Sequence, residues 1–538
     1  MKIAIEGCCH GELDKIYETI QYMEQKENIK IDLLIICGDF QAVRNRADLN
    51  CMAVPAKYQK LNTFYKYYSG EKEAPVLTLF IGGNHEASNY LQELPYGGYV
   101  APKIYYMGYA GVVKFRGLRI GGLSGIFKYR DYETGHHERI PYSENSKRSV
   151  YHIRNLEVFR LKQLKDPVDI MISHDWPRNI VNYGNVKGLL RRKQFLQEDI
   201  ETGKLGSPPA ESLLHHMKPS YWFAAHLHVK FTAIVKHETN DGSEKLTKFL
   251  SLDKCLPRRD FLQVLDMPDP EPGTSPHLEL DPEWLVILKT TNHLLSLKNC
   301  RTFMPGSGSE EKYDFSVKPE DLKSLDEDFG GMYSIPRNFE RTAPAHNPEG
   351  SPPALRMYTH PWTKLLCEVL GITDPNSVFT GLNESSSSPE RSTENEDSVV
   401  SDDDVPDTSQ SFMSDASFNL SPASFSTSRS KNRTHNPDEI SLDLDADSDS
   451  ESDHEHDDKP NSSQISNISD IVNLNTSYEE SQQSQSDSPA SAPLNSSQSD
   501  PDGPQSSQSE SELPKDSGGP PTAKKFKRRN QSIYSSSD

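Results

Sequence analysis

Five runs of β-branched and aliphatic residues punctuate the chain: Lys2 to Glu6, Ile31 to Ile36, Val76 to Ile81, Val168 to Ile172 and Tyr221 to Ala224. Short, apolar and bounded by polar or glycine-bearing segments, they predict buried strands. Leu13 to Gln25 and Ala56 to Tyr67 carry apolar residues at helical spacing, which predicts β-α-β-α order and a largely parallel start to a sheet. Tyr105 to Phe115 and Leu118 to Leu123, separated by Arg116-Gly117, read as a hairpin, so the sheet is expected to be mixed.

Near Pro375 this patterning stops. From Asn376 onward Ser, Asp, Glu, Asn, Gln and Pro dominate, too few apolar residues to offset the entropy of ordering, and the segment is expected to be disordered. It holds about 31 acidic and 11 basic residues, so nearly all of the net charge of −21 belongs to it. The part expected to fold is close to neutral and can present a local basic surface to a polyanion, despite the acidic balance of the whole chain. Seven cysteines without a CxxC pair, two of them the adjacent Cys8 and Cys9, make no disulfide framework and point to a reducing compartment. No apolar run reaches transmembrane length and no secretory leader precedes Lys2, so a soluble, non-secreted protein without a membrane partner is expected.

Each of the five strand-like runs leads into a short polar segment: Cys8-Cys9-His10-Gly11, Gly38-Asp39, Gly83-Asn84-His85-Glu86, Ser173-His174-Asp175 and Ala225-His226-Leu227-His228. Strand ends on one edge of an α/β sheet bring such segments together. Asp, Asn and His are ligands for first-row divalent ions, and one aspartate, most naturally Asp39, can bridge two of them. Two ions clamping a phosphate and acidifying a water between them suit phosphodiester hydrolysis. An extended His226-Leu227-His228 would aim both imidazoles to one side. Taken singly, Gly-Asp or Ser-His-Asp more often marks a turn or cap. Their ordered recurrence after five strands is what points to a site. Cys9 and Cys37 read as small core residues.

In order, these segments resemble the DxH, GDxx, GNH(D/E), H and GHxH pattern of the calcineurin-like metallophosphoesterases, with Cys8 in place of the first aspartate and Ala225 in place of a glycine. With Cys8 included, the stretch from Met1 to about Leu370 closely resembles the RNA lariat debranching enzymes of eukaryotes. The resemblance implies a four-layer αββα sandwich with mixed sheets. It places one ion on Cys8, His10, Asp39 and His228 and the other on Asp39, Asn84, His174 and His226. His85 is left to protonate the leaving oxygen or steady the phosphate as metal-activated hydroxide attacks the 2′-5′ bond of an intron lariat. A soft thiolate favours Fe2+ and Zn2+, with Mn2+ able to substitute, and makes the site oxidisable. A Cys8 that does not ligate, leaving a one-metal enzyme, is the alternative.

The resemblance also divides the chain into a catalytic domain (1–260), a C-terminal region packed on it (261–372) and an acidic tail (373–538). Between 124 and 155, Lys128, Tyr129, Arg130, His136, Arg139, Lys147, Arg148, His152 and Arg154 mix basic and aromatic character, as single-stranded RNA recognition requires. On composition alone an ordinary solvated loop competes, because Asp131, Glu133, Glu138 and Glu144 dilute the charge. By resemblance this interval is a lariat recognition loop over the metals. Lys187, Arg191, Arg192 and Lys193 read as a solvated helix face. The basic run 524–529 reads as a nuclear localisation signal, and the tail as a phosphorylatable docking segment for RNA-turnover or spliceosome-release proteins on an otherwise monomeric enzyme. Competing functions are a phosphoserine/threonine phosphatase, a catalytically dead scaffold, and a protein whose tail is its main working part.

Overall fold

The computed structural model describes residues 1–385 apart from 239–241 and 274–275. The basic run at 524–529 and the serine-rich tail beyond residue 385 lie outside the described residues. Strands β1 (Lys2–Glu6), β2 (Leu33–Ile36), β3 (Thr78–Phe80), β4 (Gly98–Ala101) and β5 (Ile104–Tyr106) form one sheet, with β1, β2, β3 and β5 parallel. Strands β6 (Ala110–Phe115), β7 (Leu118–Leu123), β8 (Ile170–Ser173), β9 (Tyr221–Ala224), β10 (Phe231–Glu238) and β11 (Glu244–Ser251) form the other. After residue 250 the chain returns to both sheets. Strand β12 (Leu262–Asp266) pairs antiparallel with β1, and β13 (Leu278–Leu280) antiparallel with β6. The orders are β12-β1-β2-β3-β5-β4 and β10-β11-β9-β8-β7-β6-β13, two mixed sheets joined by one continuous apolar core and flanked by helices.

The helix Leu13–Glu27 buries Leu13, Ile16, Tyr17, Ile20 and Met23, the single stripe its spacing predicts, and stops at Asn28 in the left-handed region. Two expectations are corrected. Ala56 to Tyr67 is not one helix: a 3-10 turn at Ala56–Tyr58 is separated from a helix at Phe64–Ser69, with Asn62 at φ 49° between them. Tyr105 to Phe115 is not one strand either. Gly108, at φ 83°, turns the chain between β5 and β6, and a Cβ there would lie 2.5 Å from the Pro95 carbonyl oxygen.

Arg119 on β7 grips Asp281 with two hydrogen bonds of 2.9 and 2.8 Å. Asp281 in turn caps the helix Pro282–Thr290, whose Trp284 to Leu288 are buried. A further helix, Pro361–Leu370, is capped by His360, whose Nδ1 accepts the Trp362 N–H at 3.2 Å. The last described helix, Pro375–Ser385, contradicts disorder from Asn376. Asp374 accepts from the Asn376 N–H at 3.0 Å and the Ser377 hydroxyl at 2.6 Å, Pro375 opens the first turn, and Phe379 is wholly buried. No described helix is long and apolar enough to cross a membrane.

The His360 cap makes stability depend on pH. Burial, then the charge of Arg44, pushes its imidazole down to about 4, whereas an unfolded histidine titrates near 6.5. The unfolded chain therefore takes up a proton that the native state refuses, and stability is lost as pH falls from about 6.5 towards 4. This group contributes up to about 3 kcal/mol to that loss. His360→Asn keeps a capping acceptor without a titrating ring. Urea unfolding at pH 7 and pH 5 should show a smaller difference for the variant than for the native chain, and an equal difference would exclude His360 as the source.

Candidate metal centre

All five chemistry-bearing segments leave the C-terminal ends of β1, β2, β3, β8 and β9 and meet on one edge. Their backbones are unusual. His10, Asp39, His226 and His228 have φ of 46, 46, 62 and 46°, a region that non-glycine residues seldom occupy and that clusters at functional sites. The pair His226 and His228 is therefore not the extended strand end the sequence suggested. Each residue is turned out of a tight loop after β9. Close approach explains two glycines: a Cβ on Gly38 would lie 2.3 Å from His174 Nδ1, and one on Gly83 2.3 Å from Asp39 Oδ1.

Cys8, His10, Asp39 and His228 each place a ligand atom within 4.8 Å of the others. His10 Nε2 and His228 Nε2 face each other at 3.1 Å, and the buried Nδ1 of His228 has no hydrogen-bond partner. On the other side of Asp39, His174 Nε2 lies 3.2 Å from Asp39 Oδ1 and 3.2 Å from Asn84 Oδ1. His174 Nδ1 is 2.8 Å from the Cys37 carbonyl oxygen, to which it donates; burial works against a charged imidazole, but the Asp39 carboxylate outweighs it and raises His174 above its ordinary value. His174 Nε2, Asp39 Oδ1 and Asn84 Oδ1 lie close enough to share a proton or a cation. The His226 ring lies 5.0 Å from that of His174, and the His226 N–H donates to Cys8 Sγ at 3.3 Å.

Burial and the Asp39 charge set the electrostatics of these residues. Burial works against the Asp39 carboxylate, yet His174, His85 and His10 together hold it well below the usual range. Burial pushes His10 down to about 3 and His228 well below its ordinary value, which keeps both imidazoles neutral and free to ligate. Burial, with Asp39 and Glu6 alongside, pushes the Cys8 thiol well up; a divalent cation at its sulfur is the partner that reverses this. Cys8, His10, Asp39 and His228 fit one ion, and Asp39, His174 and Asn84 lie close enough to contribute to a second.

His85 lies outside the Cys8, His10, Asp39 and His228 cluster. It is half-buried, its N–H donates to Asp39 Oδ1 at 2.8 Å, and its ring meets that of His10 edge-on at 5.3 Å. Sequence reasoning gave no role to Glu86, Gln41 or Lys254. Glu86 accepts the N–H groups of Phe40, Gln41 and Gly83, each at 2.8 Å, and so locks the Asp39 loop to the Asn84 loop. Gln41 Nε2 lies 3.1 Å from His10 Nδ1. Lys254 pairs as a β-bridge with Cys8, and its charge bears on His10 and His228. Glu86 was legible as the last residue of Gly83-Asn84-His85-Glu86; Lys254 carries no motif.

The 124–155 interval divides. Tyr129, Arg130 and Arg139 are exposed, and Lys128, Lys147 and Arg148 half-buried, with Lys147 paired to Glu144 at 2.8 Å. His136, His152 and Arg154 are buried and held from inside, which removes them from the set of RNA contacts. His136 stacks on Tyr109 and lies 3.0 Å from Glu157, His152 lies 2.6 Å from Asp131, and Arg154 pairs with Glu138 at 2.6 Å. Acidic residues that seemed to dilute the loop's charge are the internal partners that shape it. Of the second basic cluster, Lys193 is buried and Arg192 donates to the Lys230 carbonyl.

A two-sheet α/β sandwich with a Cys-His-Asp-His donor cluster at its strand ends defines a metal-dependent phosphoesterase, and residues 1–230 match the calcineurin-like phosphoesterase family. Residues 244–375 match the lariat debranching enzyme C-terminal domain. The chain is 58% identical over 379 residues to the lariat debranching enzyme of Danio rerio, covering 70% of this chain and 66% of that one. It is 59% identical over 381 residues to lariat debranching enzyme A of Xenopus laevis (70% and 71% covered), and 54% over 383 residues to the Homo sapiens enzyme (70% and 70%). The chain belongs to the lariat debranching enzyme family, within the calcineurin-like phosphoesterases.

Proposed function

We infer that this protein is a metal-dependent phosphodiesterase that hydrolyses the 2′-5′ bond at the branch of intron lariat RNA. The observation that carries the reading is the donor cluster of Cys8, His10, Asp39 and His228 in a chain that matches both family domains. One side would use Cys8, His10, Asp39 and His228, the other Asp39, Asn84, His174 and His226. Bound there, divalent ions supply Lewis acidity at the phosphate and a nucleophile at neutral pH. Asp39 is fixed for sharing by the His85 N–H on one oxygen, and Glu86 fixes the two loops that carry Asp39 and Asn84. His85, the proposed ligand-loop histidine left outside both sets, donates a proton to the departing 2′-oxygen. The exposed Tyr129, Arg130 and Arg139 would hold the arms of the branch by stacking and phosphate contact.

The Cys8 sulfur favours Fe2+ or Zn2+ over harder ions, with Mn2+ able to replace them. Cys8→Asp replaces it by a hard oxygen. The variant should keep cleavage with Mn2+ and lose Zn2+ affinity on the order of tenfold or more, the size of effect that perturbed metal shells produce. Metal titration followed by branched-RNA cleavage checks this, and an unchanged preference would remove Cys8 from the ligand set. The basic run at 524–529 supports a nuclear location, which a fluorescent fusion lacking that run tests by loss of nuclear signal.

A further inference from the structure

We propose that the acidic tail is an intramolecular competitor for RNA: its carboxylates bind the exposed cationic face of the 124–155 loop beside the metal centre. This rests on the RNA-debranching reading above. Three observations converge on it.

The first is where the described chain ends. The Arg139 guanidinium lies over the Phe379 ring, 4.3 Å from its centroid, although Phe379 belongs to the last described helix, Pro375–Ser385. Pro375 lines a small cavity with Tyr109, His136, Glu157 and Arg160, the residues on which the loop is built. Ser385 follows Phe379 by only six residues, about 9 Å of helical rise. The root of the tail is thus fastened to the loop expected to hold RNA.

The second is charge. Arg130 and Arg139 are exposed and make no ion pair with a carboxylate among the described residues. Between 438 and 458 the tail carries 11 acidic residues and no Lys or Arg, a linear polyanion like the substrate. Ser448, Ser450 and Ser452 lie inside that stretch, where phosphorylation would deepen its charge. The third is reach. Residue 438 is 53 positions beyond Ser385, a span of at most ~3.3–3.6 Å per residue, so the stretch can return to the loop from its own root.

Tethering sets the size of the effect. An effective concentration on the order of 1 mM against a dissociation constant near 0.1 mM, ordinary for non-specific polyanion contacts, weakens RNA binding about tenfold. Salt screens it.

The test measures KM and kcat on branched RNA, and binding of a linear RNA by fluorescence anisotropy, from low to high salt. It compares the full chain, a chain ending at Ser385, and a full chain with the Asp and Glu residues of 438–458 replaced by Asn and Gln. The proposal expects both altered chains to bind RNA about tenfold tighter at low salt, with kcat unchanged and the difference gone at high salt. Arg139→Gln should shrink the difference between full and shortened chains. Equal affinities for all three chains would overturn it, as would a gain seen on truncation but not on neutralisation. Failure of every chain to cleave the 2′-5′ bond would instead sink the functional reading, because the anisotropy comparison does not depend on cleavage.

Discussion

Replacing His85 by alanine lowers the rate of branch cleavage by about 10²- to 10⁴-fold while leaving the bound metal in place. The structure separates these two outcomes. His85 contributes its backbone N–H to Asp39, at 2.8 Å, and a side-chain truncation preserves that hydrogen bond. The imidazole itself lies edge-on to the His10 ring and belongs to neither donor set. Removing it deletes a proton donor without opening a metal shell. His174, 3.2 Å from Asp39 Oδ1, remains to hold the carboxylate down. Metal analysis of the purified variant together with single-turnover cleavage distinguishes the cases. A variant that loses metal would make His85 a structural support, and one that turns over normally would remove it from the reaction.

Arg44→Met destabilises the fold by about 3–5 kcal/mol, the cost of leaving buried charges without their partner. Arg44 is wholly buried just after the Asp39 loop. Its Nε and Nη2 donate to Asp48, each at 3.0 Å, Nη1 donates to Glu93 at 2.7 Å and Thr342 at 3.0 Å, and the guanidinium lies 4.1 Å from the Tyr90 ring centroid. Asn45 Nδ2 reaches the Pro344 carbonyl at 2.8 Å, so the same corner binds the C-terminal segment to the Asp39 loop. Methionine fills part of the volume and strands both carboxylates. Urea unfolding should show a lower midpoint at an unchanged slope. Arg44→Lys, which keeps the charge but not the planar fork, should fall between the two. A midpoint equal to the native one would show that the cluster contributes nothing net.

The parts of this molecule that were legible in the sequence are those where local pattern and chemistry coincide. A buried parallel strand must be a short apolar run, and a metal ligand must be Asp, Asn, His or Cys, so each ligand segment announces itself as a polar break after such a run. The misreadings share a different cause. Periodicity over Ala56 to Tyr67 could not register that Asn62 takes a left-handed conformation, and alternation could not foresee that His226 and His228 do so as well. Composition could not tell an arginine facing solvent from Arg154 sealed against Glu138, because the partner is fixed by tertiary packing. The helix Pro375–Ser385 did carry a local signal, Asp374-Pro375 followed by Phe379, but its polar surroundings outweighed it.

The most direct test of the central claim gives the purified chain, loaded in turn with iron, zinc and manganese, three substrates: branched RNA, linear 3′-5′ RNA and a phosphopeptide. Cleavage confined to the 2′-5′ bond and abolished in Asp39→Ala is the predicted result. Hydrolysis of the phosphopeptide with intact branched RNA would contradict the account and make this a phosphatase, and metal binding without hydrolysis of any of the three would make it a scaffold.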